Sequence, residues 1–198
     1  MKGTFAMEII LASASPRRAE LLTQIGVPFR VVPSNFEEGQ PQQPWEEGVQ
    51  ELARNKALSV PAERGEIVLA ADTIVVSGQK VLGKPRDEKE AVTMLKCLSG
   101  SSHQVMTGVC LVCYQGTLPR IFQGVEITKV YFRRLTELEI HNYVASGEPL
   151  DKAGAYGIQG LGALLVEEIE GCYFNVVGLP LVRTMQLLRS CGFPLLGV

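Results

Sequence analysis

Short apolar runs alternate along this chain with segments of helical periodicity. Glu8–Ala12 (EIILA) predicts a buried strand, and Leu21, Leu22 and Ile25 then recur at helical spacing up to Gly26. Ser15 fits the N-cap of that helix and Pro16 its first turn, so the opening reads as strand, turn, helix. Phe29–Pro33 predicts a second strand, followed by a polar, proline-rich loop over Ser34–Pro44. Trp45–Val60 predicts a helix with Val49, Leu52, Ala53, Ala57 and Leu58 on or near one face. Ile67–Ala71 (IVLAA) predicts a central strand running into Asp72, with Thr73–Val76 extended as far as a Ser77-Gly78 turn. Asp87 with Glu90, and Thr136 with Glu139, carry the spacing of helix N-termini. His103–Tyr114 and Ile121–Phe132 are long β-rich runs. The glycine-dense Asp151–Gly162 reads as a loop, Ala163–Ile169 with Tyr173–Val177 as a hairpin, and Pro180–Arg189 as a closing helix. Crossovers and hairpins together imply an α/β fold with a mixed central β-sheet flanked by helices.

With 198 residues, 46% hydrophobic and 20% charged, the chain suits one compact α/β domain or two closely joined lobes. No stretch reaches the roughly 18 uninterrupted apolar residues of a membrane-spanning helix. Met1–Met7 is too short and too weakly apolar for a secretory signal, so a cytoplasmic protein with no membrane partner is expected. A net charge of -2 argues against sequence-blind nucleic-acid binding. The five cysteines, Cys97, Cys110, Cys113, Cys172 and Cys191, do not look like a disulfide framework, and reduced thiols are expected. Cys110 and Cys113 form a C-x-x-C inside an apolar strand that would send them to opposite faces, which disfavours a shared metal.

Some residues sit awkwardly for purely structural roles. Arg17 and Arg18 lie in the first turn of a predicted helix, where the helix dipole already carries positive charge. An anion there would resolve the conflict, since amides, the Ser15 hydroxyl and two guanidinium groups suit a phosphate chain, although two solvated arginines are the plain alternative. Gly83-Lys84-Pro85-Arg86 is a second basic turn with the same two readings. Asp72 follows five apolar residues at a predicted strand end, so it must be paired, hydrogen-bonded or bound to a metal. Glu37 and Glu38 in the polar loop, with Asp72, would supply hard oxygen donors for Mg²⁺ or Mn²⁺. Lys56 falls on the more polar side of its helix, where a surface role is expected. Gln159, inside the glycine-dense segment, offers both a donor and an acceptor to a base.

Taken together, Leu11–Arg18 (LASASPRR), Ala71–Val75 (ADTIV), Gly83–Pro85 (GKP), Leu98–Gly100 with His103, Thr107-Gly108, Gly147–Pro149 (GEP), Asp151–Gly160 (DKAGAYGIQG) and Asn175–Pro180 (NVVGLP) resemble, in order, the blocks of the Maf family of nucleoside triphosphate pyrophosphatases. That resemblance implies a fold related to the inosine triphosphate pyrophosphatases, a single domain over residues 8–198 with two lobes around a cleft, an N-terminal extension over 1–7 with Met7 as an alternative start, and hydrolysis of a nucleoside triphosphate to monophosphate and pyrophosphate. Ser15–Arg18, Ala71–Thr73 and Gly157–Gln159 look like the branch acting on dTTP and UTP; the 7-methyl-GTP relatives carry Trp where Arg17 stands and Gln where Thr73 stands. By position, Asp72 is the implied proton acceptor, Arg17, Thr73 and Gln159 bear on substrate choice, Arg18, Lys56 and Lys84 match triphosphate contacts, and Glu38 matches a metal-associated position. A divalent metal (Mg²⁺, Mn²⁺ or Co²⁺) held by Asp72 and Glu38 is the implied cofactor, and a homodimer is left open. The competing readings are a 7-methyl-GTP-type pyrophosphatase, a non-enzymatic nucleotide-binding regulator of cell division, and a small RNA-binding protein.

Overall fold

The computed structural model describes residues 7–37 and 39–196. Its strands are β1 (Glu8–Leu11), β2 (Phe29–Val31), β3 (Glu66–Ser77), β4 (Lys80–Leu82), β5 (Ser102–Cys113), β6 (Arg120–Phe132) and β7 (Val166–Glu170). Its α-helices are α1 (Pro16–Gln24), α2 (Trp45–Leu58), α3 (Glu88–Leu98), α4 (Glu137–Ala145), α5 (Tyr173–Val177) and α6 (Leu181–Ser190). The sheet runs β2-β1-β3-β5-β6-β7, with β4 on β3. Helical crossovers make β1 parallel to both β2 and β3, while β4 and β7 pair antiparallel with β3 and β6. Tyr114, just past β5, bonds Gly65 and Glu66 at the start of β3, so β3 and β5 are also antiparallel. This is the mixed sheet anticipated from the sequence, and no helix among the described residues is long and apolar enough to cross a membrane.

The chain clusters into two units. One contains Met1–Asp72, Thr107–Glu126 and Gly178–Val198; the other contains Thr73–Met106 and Ile127–Val177. In the first, the period of two along each strand puts Ile10 and Ala12 after β1, Val68 and Ala70 of β3, and Cys110 and Val112 of β5 on one face. There they form a core with Ala53 and Ala57 of α2. Ile9, Leu11, Ile67, Leu69 and Leu111 on the opposite face are buried as well, which explains why these strands read as unbroken apolar runs. Gly108 belongs to the α2 face of β5, and a Cβ there would lie 2.4 Å from the Val49 carbonyl oxygen, so glycine is what lets the helix backbone lie against the strand.

In the second unit, Ala91, Leu95 and Leu98 of α3 and Ile140, Tyr143 and Val144 of α4 bury the apolar face formed by Val75, Val105, Val130 and Phe132. Both anticipated helix starts are present. Asp87 Oδ1 accepts from the Glu90 amide at 2.8 Å, and Thr136 with Glu139 closes a reciprocal capping box.

Several expectations give way. The extension expected over Thr73–Val76 is present, but it continues β3 unbroken to Ser77, with Ile74, Val75 and Val76 buried, so Asp72 lies within the strand and not at its end. The hairpin expected over 163–177 is absent: Gly160–Leu165 is a 3₁₀ turn, β7 pairs with β6 instead, and Tyr173–Val177 is a short helix. The loop expected over Asp151–Gly162 is present, with short 3₁₀ turns at Glu148–Asp151, Ala153–Ala155 and Gly160–Leu165 and non-helical backbone over 156–159. The cysteines are not all reduced. Cys113 and Cys191 form a disulfide, a pairing 78 residues apart that only the fold brings together. Cys110, on the α2 face, takes no part, and burial pushes its thiol up to about 12.

Gly108→Ala is expected to destabilise the protein by roughly 1–3 kcal/mol, since the added methyl meets backbone rather than a movable side chain. Urea unfolding of the variant beside the parent measures this directly.

Candidate active site

The alternation that carries Val68 and Ala70 onto the α2 face of β3 carries Asp72 there too. On α2 the buried positions are Gly48, Val49, Leu52, Ala53, Lys56 and Ala57, a stripe at helical spacing in which Lys56 stands seven residues after Val49. The sequence reading of Lys56 as a surface residue is therefore wrong. Both Lys56 and Asp72 are only 6% exposed, and the Lys56 ammonium donates to Asp72 Oδ1 in an ion pair. Each charge answers the desolvation cost that the other would carry alone.

Beside this pair, β1 leads into α1. Ala12, at the end of β1, donates to the Leu69 carbonyl on β3, which fixes the turn next to the strand that carries Asp72. Ser13 Oγ accepts from the Ser15 amide at 3.2 Å and from Arg18 Nη1 at 3.1 Å, while Arg18 Nε donates to the Gly178 carbonyl at 2.9 Å. Arg18 thus holds the turn against the segment entering α6. Ser13, which the sequence reading named only as part of the Leu11–Arg18 block, organises the turn. Ser15 occupies the N-cap position, but among the described residues its side chain makes no capping hydrogen bond, and the first turn of α1 carries no acidic residue. Arg17 and Arg18 are half-buried there. Two arginines at a helix start have the chemistry that suits an anion.

Three further candidates belong to the second unit: Thr73 is half-buried, and Lys84 and Gln159 are exposed. The Gly154 amide donates to the Gly83 carbonyl at 3.0 Å, which ties the basic turn carrying Lys84 to the segment leading to Gln159. Asn175, to which the sequence assigned only architecture, is fully buried and donates through Nδ2 to the Val105 carbonyl and to Thr128 Oγ1. His103 is 3% exposed, its Nε2 is 2.7 Å from the Tyr156 hydroxyl, and the rings of His103, Tyr156 and Phe132 meet edge to face. Burial holds the imidazole down at about 4, against an ordinary 6.5.

Glu38 lies outside the described residues, and Glu37 is exposed. Among the described residues no three His, Cys, Asp or Glu side chains gather closely enough to hold a metal. A hard ion such as Mg²⁺ needs only one or two carboxylates when phosphate oxygens and water complete its shell, and the Asp72 carboxylate is compatible with that mode.

A buried carboxylate–ammonium pair beside a basic strand–turn–helix, on a mixed α/β sheet, defines a candidate polyphosphate-handling site. The Maf-like protein family profile matches residues 8–191, and the chain belongs to that family. It is 51% identical over 191 residues to the dTTP/UTP pyrophosphatase of Anaeromyxobacter dehalogenans strain 2CP-C, covering 96% of this chain and 97% of the relative. Over 189 residues it is 52% identical to the dTTP/UTP pyrophosphatase of Carboxydothermus hydrogenoformans, covering 94% of this chain and 100% of the relative. With the protein of the same name from Halalkalibacterium halodurans it shares 53% identity over 187 residues, 93% of this chain and 96% of the relative. Among solved structures, a HAM1 protein from Coxiella burnetii is similar at 20% identity and a TM-score of 0.44, over 65% of this chain and 74% of that one.

Two outcomes are expected here. Lys56→Met strands the Asp72 charge and should cost about 3–5 kcal/mol in unfolding free energy, far more than a surface lysine would. For His103, the depressed folded value means that the unfolded chain takes up its proton first as pH falls. The stability contributed by the neutral ring is therefore complete above 6.5 and is lost as pH drops toward about 4. Unfolding free energies measured across that window should decline by up to roughly 3 kcal/mol in the parent, with a shallower slope in His103→Gln.

Proposed function

We propose that this chain hydrolyses dTTP and UTP to the monophosphate and pyrophosphate in the cytoplasm. The observation that carries the reading is the buried Asp72–Lys56 pair beside the Ser15–Arg18 turn, in a chain about half identical to the dTTP/UTP pyrophosphatases over nearly its whole length. Asp72 is the proton acceptor. With Oδ1 engaged by Lys56, the second carboxylate oxygen orients a water and takes its proton as the water oxygen bonds to the α-phosphorus. The bond between that phosphorus and the α–β bridging oxygen breaks, and pyrophosphate leaves with the electron pair.

Lys56, besides holding Asp72 Oδ1, offsets with Arg17, Arg18 and Lys84 the charge that grows on the departing phosphates. Arg17, Thr73 and Gln159 discriminate among nucleotides, and Ser15 contributes its hydroxyl at the helix start. A divalent ion, Mg²⁺, Mn²⁺ or Co²⁺, would be held by Asp72 with substrate oxygens, Glu38 being the second candidate ligand; it would neutralise phosphate charge.

Asp72→Asn preserves side-chain volume and removes the base. Its turnover of dTTP and UTP, followed as pyrophosphate released in the presence of Mg²⁺, Mn²⁺ or Co²⁺, should fall by about 10²-fold or more. Parental rates in the folded variant would refute the role of this carboxylate.

A further inference from the structure

One carboxylate that the proposed chemistry does not use holds the Gln159 segment at both ends. Glu148 begins a 3₁₀ turn (Glu148–Asp151) just after α4. Its Oε2 accepts from the Leu161 amide at 3.0 Å, and its Oε1 accepts from the Gly162 amide at 3.1 Å and from the Tyr143 hydroxyl at 2.9 Å. The Tyr143 oxygen in turn accepts from the Gly157 amide at 3.2 Å. Glu148 therefore grips the backbone two and three residues after Gln159 and, through Tyr143, the backbone two residues before it. Ile158 is buried between these anchors, and Gln159 is left exposed.

The local sequence is fitted to this grip. Gly160 adopts φ +65°, and a Cβ there would stand 2.7 Å from Glu148 Oε2. A Cβ on Gly162 would stand 2.1 Å from the Gly157 carbonyl oxygen and 2.6 Å from the Tyr143 hydroxyl. Both glycines leave room for the carboxylate–hydroxyl clamp. Hydrogen bonds to a charged acceptor are the stronger kind, and two amides together with a hydroxyl converge on this one side chain.

We infer that Glu148 is a positioning residue that sets nucleotide selectivity by fixing the backbone on both sides of Gln159. This rests on the reading that Gln159 meets the base. The role is structural at Glu148 and selective at Gln159, so its loss should blur discrimination rather than abolish chemistry. Glu148→Ala removes the whole acceptor; Glu148→Gln keeps the length and one acceptor oxygen.

The test combines amide exchange without nucleotide and steady-state kinetics on UTP and ATP. In Glu148→Ala the Leu161 and Gly162 amides should exchange at least about tenfold faster than in the parent, read by NMR. The ratio of kcat/KM for UTP over ATP should fall by about tenfold or more, with Glu148→Gln intermediate. Unchanged exchange at those amides, or equal losses on both nucleotides, would overturn the inference. A parent that hydrolyses neither dTTP nor UTP would instead overturn the reading on which it rests. If the parent is active and both variants keep its UTP:ATP ratio, the role of Glu148 alone is wrong.

Discussion

A carboxylate and an ammonium, both almost wholly removed from water, face each other between β3 and α2, and the architecture of the first unit is arranged to permit it. Neither charge could be buried alone without a penalty of several kcal/mol. Their meeting requires α2 to run across one face of the sheet with Lys56 on its inner stripe, and Gly108 permits the approach by presenting no side chain where the Val49 carbonyl passes. An apolar pair in the same place could pack at least as favourably, so the retention of two charges there points to chemistry rather than to stability.

The elements legible in the sequence were those with strong local chemistry. Asp87 opening α3 and the Thr136–Glu139 box each lie where side chain and backbone satisfy one another within one turn, and Pro16 opens α1 at a position where no amide hydrogen is needed. The unbroken apolar runs of β1 and β3 report burial on both faces. What failed locally was decided by distant packing. Tyr173–Val177 has the composition of a strand, yet Asn175 within it is drawn inward to Val105 and Thr128, and the segment coils into a helix. The Cys113–Cys191 disulfide could not be read from spacing at all.

Site residues divide in the same way. Asp72 was conspicuous because a charge after five apolar residues demands a partner, and of the partners left open the fold supplies a cation, Lys56. Lys56 lies on the very stripe that the spacing of Val49, Leu52 and Ala53 defines, and its charge led to its being set on the solvent side. Ser13 and Glu148 stood out only as members of the Leu11–Arg18 and Gly147–Pro149 blocks, because they act on backbone amides that local patterning does not expose.

A double-mutant cycle on Lys56→Met and Asp72→Asn, read both in unfolding free energy and in UTP turnover, tests the central claim most directly. The two substitutions should couple by more than about 1 kcal/mol in stability, with the double variant more stable than Lys56→Met alone and still inactive. Additive stabilities, or a double variant that hydrolyses UTP at the parental rate, would contradict the account.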